Sequence, residues 1–266
     1  MPATQPRAKQ RPAPAKPAAA EQGAGSLKWL IAVTVALGKF MDVLDNSSVS
    51  VALQHIGGSL GTSQDDVTWV ITSLLAEAVM LPLAGFLATA IGRTRLFSGA
   101  LVLYGISSLL CGLSSSLAML LVFRVCQGLC GVIPTMAQAI LKDSFPDSQR
   151  GQAFALFGVA TVVAPTIGPL LCGWLVDTYS WHWVLFVNVP VAFFAAFMTS
   201  VLVKDPPELI KAKAAWAKGL RLDVVGLGLL ALGLSSLQFV LSRGERDDWF
   251  GSGLITGLAI LSGCCC

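Results

Sequence analysis

Long apolar runs broken by short polar ones dominate this chain. From Leu27 onward eight candidates follow one another: Leu27–Leu53, Val67–Thr89, Leu96–Leu113, Leu117–Leu141, Gly151–Leu175, Val184–Leu202, Val224–Leu241 and Trp249–Gly263. Most approach the roughly 20 residues that a helix needs to cross the hydrocarbon layer of a bilayer. The last is short for a span, and the chain stops just beyond it. Barrel strands would alternate in polarity over about ten residues, whereas these runs are continuously apolar. A helix also satisfies all its backbone hydrogen bonds within one segment in lipid. The pattern therefore predicts an all-α integral membrane protein.

Composition agrees. Hydrophobic residues make up 55% of the 266 positions and charged residues 12%, about half the roughly 25% charge of an average globular domain. That excludes an ordinary soluble enzyme, which needs a polar shell, and a disordered chain. The net charge of +3 gives no footing for nucleic-acid binding. No nucleophile–base constellation and no Walker pattern occurs, so neither an enzyme nor a cofactor is expected. Cys126 and Cys130 lie one turn apart without a third ligand nearby, and the expectation is packing with no metal. Residues 1–26, rich in Pro and Ala with Arg7, Lys9, Arg11 and Lys16, read as a disordered basic tail and not as a signal peptide.

Placement of the charges gives a topology. Lys and Arg collect in the tail, at Arg93 and Arg95, at Lys142 and Arg150, and at Lys204, Lys211, Lys213, Lys218 and Arg221; the intervening loops at 54–66, 114–116 and 177–183 have none. The positive-inside rule then puts the N-terminus in the cytoplasm. Arg243 and Arg246 break the pattern, diluted by Glu245, Asp247 and Asp248.

Lys39, Asp42, Asp45, Glu77 and Arg124 fall inside apolar runs. Each costs about 2.5–3.5 kcal/mol at mid-helix on insertion scales, so they are expected to face a bundle interior or a wet cavity. The three-residue spacings of Lys39, Asp42 and Asp45, with Asn46 four after Asp42, place them within about a third of the helix circumference. A local Lys39–Asp42 pair that neutralises itself is the alternative. Glu77 is a buried-site candidate or a structural hydrogen bond to a neighbouring helix. Arg124, Gln127, Gly128, Gly131, Thr135 and Gln138 form a stripe on one face of the fourth span, where the glycines admit another backbone and Arg124 and Gln127 offer donors; a snorkelling Arg124 is the alternative. The fifth span carries Ala164-Pro165 and Gly168-Pro169 followed by Gly173, which predicts a bent helix with tight contact at the bend.

These residues, in this order, resemble the major facilitator superfamily, in its fourteen-helix drug:proton antiporter branch of EmrB/QacA type. Leu44-Asp45-Asn46 through Ala52-Leu53 is similar to the first-helix signature, with Gln54 for its usual Pro. Gly85 through Gly92-Arg93 matches the cytoplasmic loop motif, with Thr89 for its usual Asp. Arg124-Val125-Cys126-Gln127-Gly128 matches the fourth-helix motif, Ala164-Pro165 through Gly168-Pro169 and Gly173 resembles the helix-five antiporter motif, and Trp181-His182-Trp183 through Asn188-Val189-Pro190 resembles the sixth-helix run. Arg243-Gly244 through Phe250 is similar to the segment between two extra central helices.

The resemblance implies a six-helix N-terminal half over 27–203, a cytoplasmic loop over 204–223, and two central linker helices over 224–266, the second incomplete. The C-terminal half is missing, and a truncated or frameshifted member is expected. By resemblance, Asp42, Asp45, Glu77, Arg124 and Gln127 would couple proton and substrate; Gly85, Gly92 and Arg93 would form the loop motif; Pro165, Gly168, Pro169 and Gly173 the antiporter motif. The implied activity is export of lipophilic or cationic small molecules in exchange for protons, in the inner membrane, with a periplasmic adaptor and an outer-membrane channel as partners in a Gram-negative cell. Two other readings stay open: a dedicated metabolite or siderophore exporter of the same fold, and a membrane polypeptide that does not transport.

Overall fold

The computed structural model describes residues 18–63, 67, 69–72, 75–203, 224–244 and 251–265, and every regular element among them is helical. In chain order these are α1 (Ala18–Leu60), α2 (Trp69–Thr72), α3 (Leu75–Ile91), α4 (Arg93–Gly112), α5 (Leu117–Gly128), α6 (Ile133–Ser144), α7 (Asp147–Thr178), α8 (His182–Phe186), α9 (Asn188–Leu202), α10 (Val224–Arg243) and α11 (Gly253–Cys265). Arg93–Gly112, Leu117–Ser144, Asp147–Thr178 and His182–Leu202 are long and apolar enough to cross a membrane. α1 is longer still, at 43 residues, but carries Lys39, Asp42 and Asp45 in its apolar stretch.

Several boundaries differ from expectation. α1 begins at Ala18, inside what reads as tail, because Ala18-Ala19-Ala20-Glu21-Gln22 are strong helix formers that extend an adjoining span. It also runs past Leu53 to Leu60, where Gly61 at φ +62° ends it. The fourth span is two helices. α5 stops at Gly128, and Cys130, Gly131 and Ile133 donate their N–H groups three residues back, to Gln127, Gly128 and Cys130. Pro134 then sits in the first turn of α6, the place where its missing N–H does no harm. The expected loop 204–223 and Trp249 lie outside the described residues.

α1 packs most extensively against α7 and also meets α9 and α6; α4 packs against α9, and α10 against both α11 and α3. The buried apolar side chains form two clusters. One takes Ile31, Val35 and Met41 of α1 with Phe97 and Leu101 of α4, Ile140 of α6 and Ala195 of α9. The other takes Val49, Ala52 and Ile56 of α1 with Cys111, Leu120, Cys172 and Leu185. Between them, at the same level on four helices, lie buried polar residues: Asp42, Asp45 and Ser48 on α1, Ser107 and Ser108 on α4, Arg124 and Gln127 on α5, and Asn188 on α9. A polar layer is thus sandwiched midway between two apolar plugs.

Close contacts hold the helices in register. Gly168 of α7 meets Ser47 and Ser48 of α1, where a Cβ would stand 3.1 Å from the Ser47 hydroxyl. The Ser48 hydroxyl donates to the Gly168 carbonyl at 3.3 Å, and the Cys172 thiol to the Ser48 carbonyl at 3.0 Å. Ala164, Gly168, Cys172 and Leu175 are the buried face of α7 here. Pro165 and Pro169 are exposed, and half-buried Gly173 has open space where a Cβ would stand. The tight contact expected of the motif therefore comes from Gly168, with Ala164 and Cys172 on the same buried face, while the two prolines flank that face on the exposed side.

Candidate functional site

Asp45 is the centre of the polar layer. Its Oδ2 accepts from the Arg124 guanidinium at 2.6 Å and from Gln127 Nε2 at 3.2 Å, while Oδ1 accepts from Asn188 Nδ2 at 2.8 Å. Arg124 and Asp45 are each 1% exposed, so this is a buried ion pair and the snorkelling alternative for Arg124 falls away. One helix turn explains the two α5 donors: Arg124 and Gln127 are three apart and share a face. Asn188 arrives from α9, opposite α5, and closes the carboxylate from the other side.

The layer is not saturated. Arg124 Nε and Nη2, Gln127 Oε1 and the Tyr104 hydroxyl are buried without a hydrogen-bond partner among the described residues. Guanidinium donors left over after one monodentate contact can take a second acceptor, since the fork offers five N–H groups. Such an arrangement suits a site whose partners exchange, because a buried polar group left unpaired carries a desolvation penalty.

The other embedded charges behave differently. Asp42 pairs with Lys39 at 2.8 Å, three residues back on the same helix, and its carbonyl accepts from Asn46 at 3.1 Å. The local-pair alternative describes Lys39 and Asp42, while Asp45 reaches across to α5 and α9. Glu77 lies half-buried in the first turn of α3 and has no ion pair or hydrogen bond among the described residues. Its backbone crosses the α5–α6 break: a Cβ on Gly131 would stand 2.8 Å from Glu77 Cα and 2.8 Å from its carbonyl oxygen. Gly131 thus admits another backbone, as the stripe implies. The stripe itself does not hold to one face, for Gln138 is exposed; the turn at 129–132 resets the helical phase.

At the loop motif, Gly92 caps α4 with φ +104°, a conformation that L side chains rarely adopt. Arg93 pairs with Asp143 near the end of α6. Thr89 turns back on its own helix, its hydroxyl donating to the Phe86 carbonyl at 2.8 Å and the Gly85 carbonyl at 3.1 Å, and so supplies no charge. Gly85 itself is exposed with open space beside it.

The sequence pattern marks Asn188 only as part of a motif and does not single out Tyr104 or Asp143. A signal for Asn188 exists: an amide in an otherwise apolar run, Val187-Asn188-Val189, meets the same criterion that singled out Arg124.

A family model described as Major Facilitator Superfamily matches residues 35–265. The chain is 38% identical over 240 residues to the multidrug export protein EmrB of Escherichia coli K12, covering 90% of this chain and 46% of that protein. It is 38% identical over 242 residues to the fatty acid resistance protein FarB of Neisseria gonorrhoeae, with 90% and 46% coverage. It is 30% identical over 244 residues to the multidrug transporter protein MdtP of Bacillus subtilis, with 91% and 43% coverage. Among solved structures, the proton:xylose symporter XylE is similar in fold, with a TM-score of 0.63 at 15% identity over 86% of this chain and 57% of that one. The chain spans about half the length of the curated relatives it matches.

Proposed function

Since the chain belongs to the major facilitator superfamily, a family of multi-pass membrane transporters, we propose that it forms the N-terminal half and central helix pair of a proton-coupled exporter of lipophilic or cationic compounds. The observation that carries this is the Asp45 cluster, a buried carboxylate held by Arg124, Gln127 and Asn188 between two apolar plugs. Protonation of Asp45 removes its charge and its ion pair, which frees Arg124 for another acceptor. The side-chain contacts of α1 with α5 and α9 then differ between the two protonation states. A conformational equilibrium that responds to a proton needs that kind of differential interaction, and transporter sites of this kind lie near the bilayer midplane, at the interface of repeats. Asp42 and Glu77 line the same helix neighbourhood and are secondary candidates. The names of the relatives, two for multidrug transport and one for fatty acid resistance, support substrates recognised by apolar burial rather than by a fixed hydrogen-bond pattern.

Alternating access uses two halves rocking about one site, so the chain alone is expected not to extrude substrate. In this reading the N-terminus is cytoplasmic, the membrane is the inner one, and an adaptor and outer-membrane channel would serve a Gram-negative host. The test loads cells carrying the full-length transporter that contains this segment with a fluorescent lipophilic cation and follows extrusion after energisation. Asp45→Asn should abolish proton-driven extrusion. Extrusion by that variant at the wild-type rate and with the wild-type response to an uncoupler would defeat the assignment.

A further inference from the structure

On the outer surface of the bundle, α4 and α9 run antiparallel and leave between them a groove of about 520 Å³. Gly105 meets Ala192 and Phe193 of α9, and Gly112 meets Phe186 at the end of the preceding α8, which together fix the antiparallel pairing. In that register Arg95 lies level with Leu202, within a turn of Ser200, and Val102 lies level with Ala196, within a turn of Phe193. The groove is therefore graded along its length. Arg95, Ser98 and Ser200 stand at one end, while Val102, Phe193 and Phe197 line the rest. From Arg95 to Val102 is seven residues, roughly 10 Å along the helix. Arg95 is exposed and makes no ion pair among the described residues. The Phe197 and Phe193 rings are 61% and 39% exposed, and the floor at Gly99 is open, with no atom within 4 Å of where a Cβ would stand.

We propose that this groove is a binding site for one anionic phospholipid, with its phosphate on Arg95 and Ser98 and an acyl chain along Val102, Phe193 and Phe197. Charge complementarity selects the occupant. The Arg95 guanidinium, which makes no ion pair among the described residues, attracts an anionic head, and basic pockets between membrane helices on the cytoplasmic side hold such heads. The apolar remainder lies at hydrocarbon depth and fits a chain. A soluble anion would leave the phenylalanines uncovered, and a zwitterionic lipid would gain less from Arg95. The site is distinct from the Asp45 cluster, which faces the bundle interior, and it does not rest on the transport reading.

The purified chain, delipidated in detergent and titrated with phosphatidylglycerol, should retain one lipid in native mass spectrometry. Phosphatidylcholine should bind more weakly, and inorganic phosphate should not displace the lipid. Arg95→Gln should weaken phosphatidylglycerol binding about fivefold, the effect of one basic residue near a charged lipid surface. Gly99→Leu should abolish it by filling the floor, and leucine favours the helix over glycine, so folding is kept. Lys142→Gln, which removes a basic residue of the same side away from the groove, should bind as wild type does. Wild-type binding by Arg95→Gln or Gly99→Leu overturns the proposal. So does an equal loss in Lys142→Gln, equal affinity for phosphatidylcholine, or a chain dimer that Gly99→Leu dissolves.

Discussion

The Asp45–Arg124 pair makes an asymmetric prediction about stability. Breaking a buried ion pair by removing one partner typically costs about 3–5 kcal/mol, because an uncompensated charge stays behind. The two single losses are not equal here. Arg124→Met leaves Asp45 with Gln127 and Asn188 still donating to it, and a carboxylate without a countercharge can neutralise itself by taking a proton. Asp45→Leu leaves Arg124 with no side-chain hydrogen-bond partner among the described residues, since its Nε and Nη2 have none already, and a guanidinium cannot be deprotonated in a protein. It also strands the Gln127 and Asn188 amides, about 1–3 kcal/mol each when a buried donor goes unsatisfied. Asp45→Leu should therefore fall at or above the top of that range, about 5 kcal/mol. Arg124→Met should lie at its lower end, about 3 kcal/mol, and the double variant should recover much of the loss. Reversible unfolding of the purified chain in mixed micelles, for the four proteins of the cycle, reads these values. Equal costs for the two single variants, or a double variant whose cost is the sum of the singles, would refute the geometry on which this rests.

Other positions test the packing. Gly131→Ala should destabilise by about 3 kcal/mol, near the top of the usual overpacking range, because the new methyl meets Glu77 backbone at 2.8 Å and backbone cannot swing away; the same micellar unfolding should show no loss for Gly99→Ala. Gly92→Ala should cost about 1–3 kcal/mol through strain at φ +104° and ψ +146°, seen as a lower melting temperature with unchanged helicity by circular dichroism. Asn188→Leu removes the 2.8 Å bond to Asp45 and should cost about 1.5–3 kcal/mol as a hydrogen bond to a charged group; in the full-length transporter it should also move the pH at which extrusion is half-maximal, while an unchanged pH profile would leave Asn188 as mere packing.

How far the residues alone could lead depends on what a helix encodes about itself. Length and polarity of each run give the spans, and Lys and Arg placement gives a topology, because the bilayer imposes both without reference to neighbours. The insertion penalty singles out Asp45 and Arg124 as residues that must find company. What periodicity cannot supply is the neighbour. Asp42 and Asp45 stand three apart and look alike in sequence, yet one closes on Lys39 within its own turn and the other on Arg124, 79 residues away, and Asn188, 143 away. The break at 129–132 and the crossing of Glu77 over Gly131 escaped for the same reason. Rotation and depth on one helix are local properties, but which carboxylate meets which guanidinium is decided only when α1, α5 and α9 pack, because contacts between helices far apart in the chain leave no period in the sequence to read.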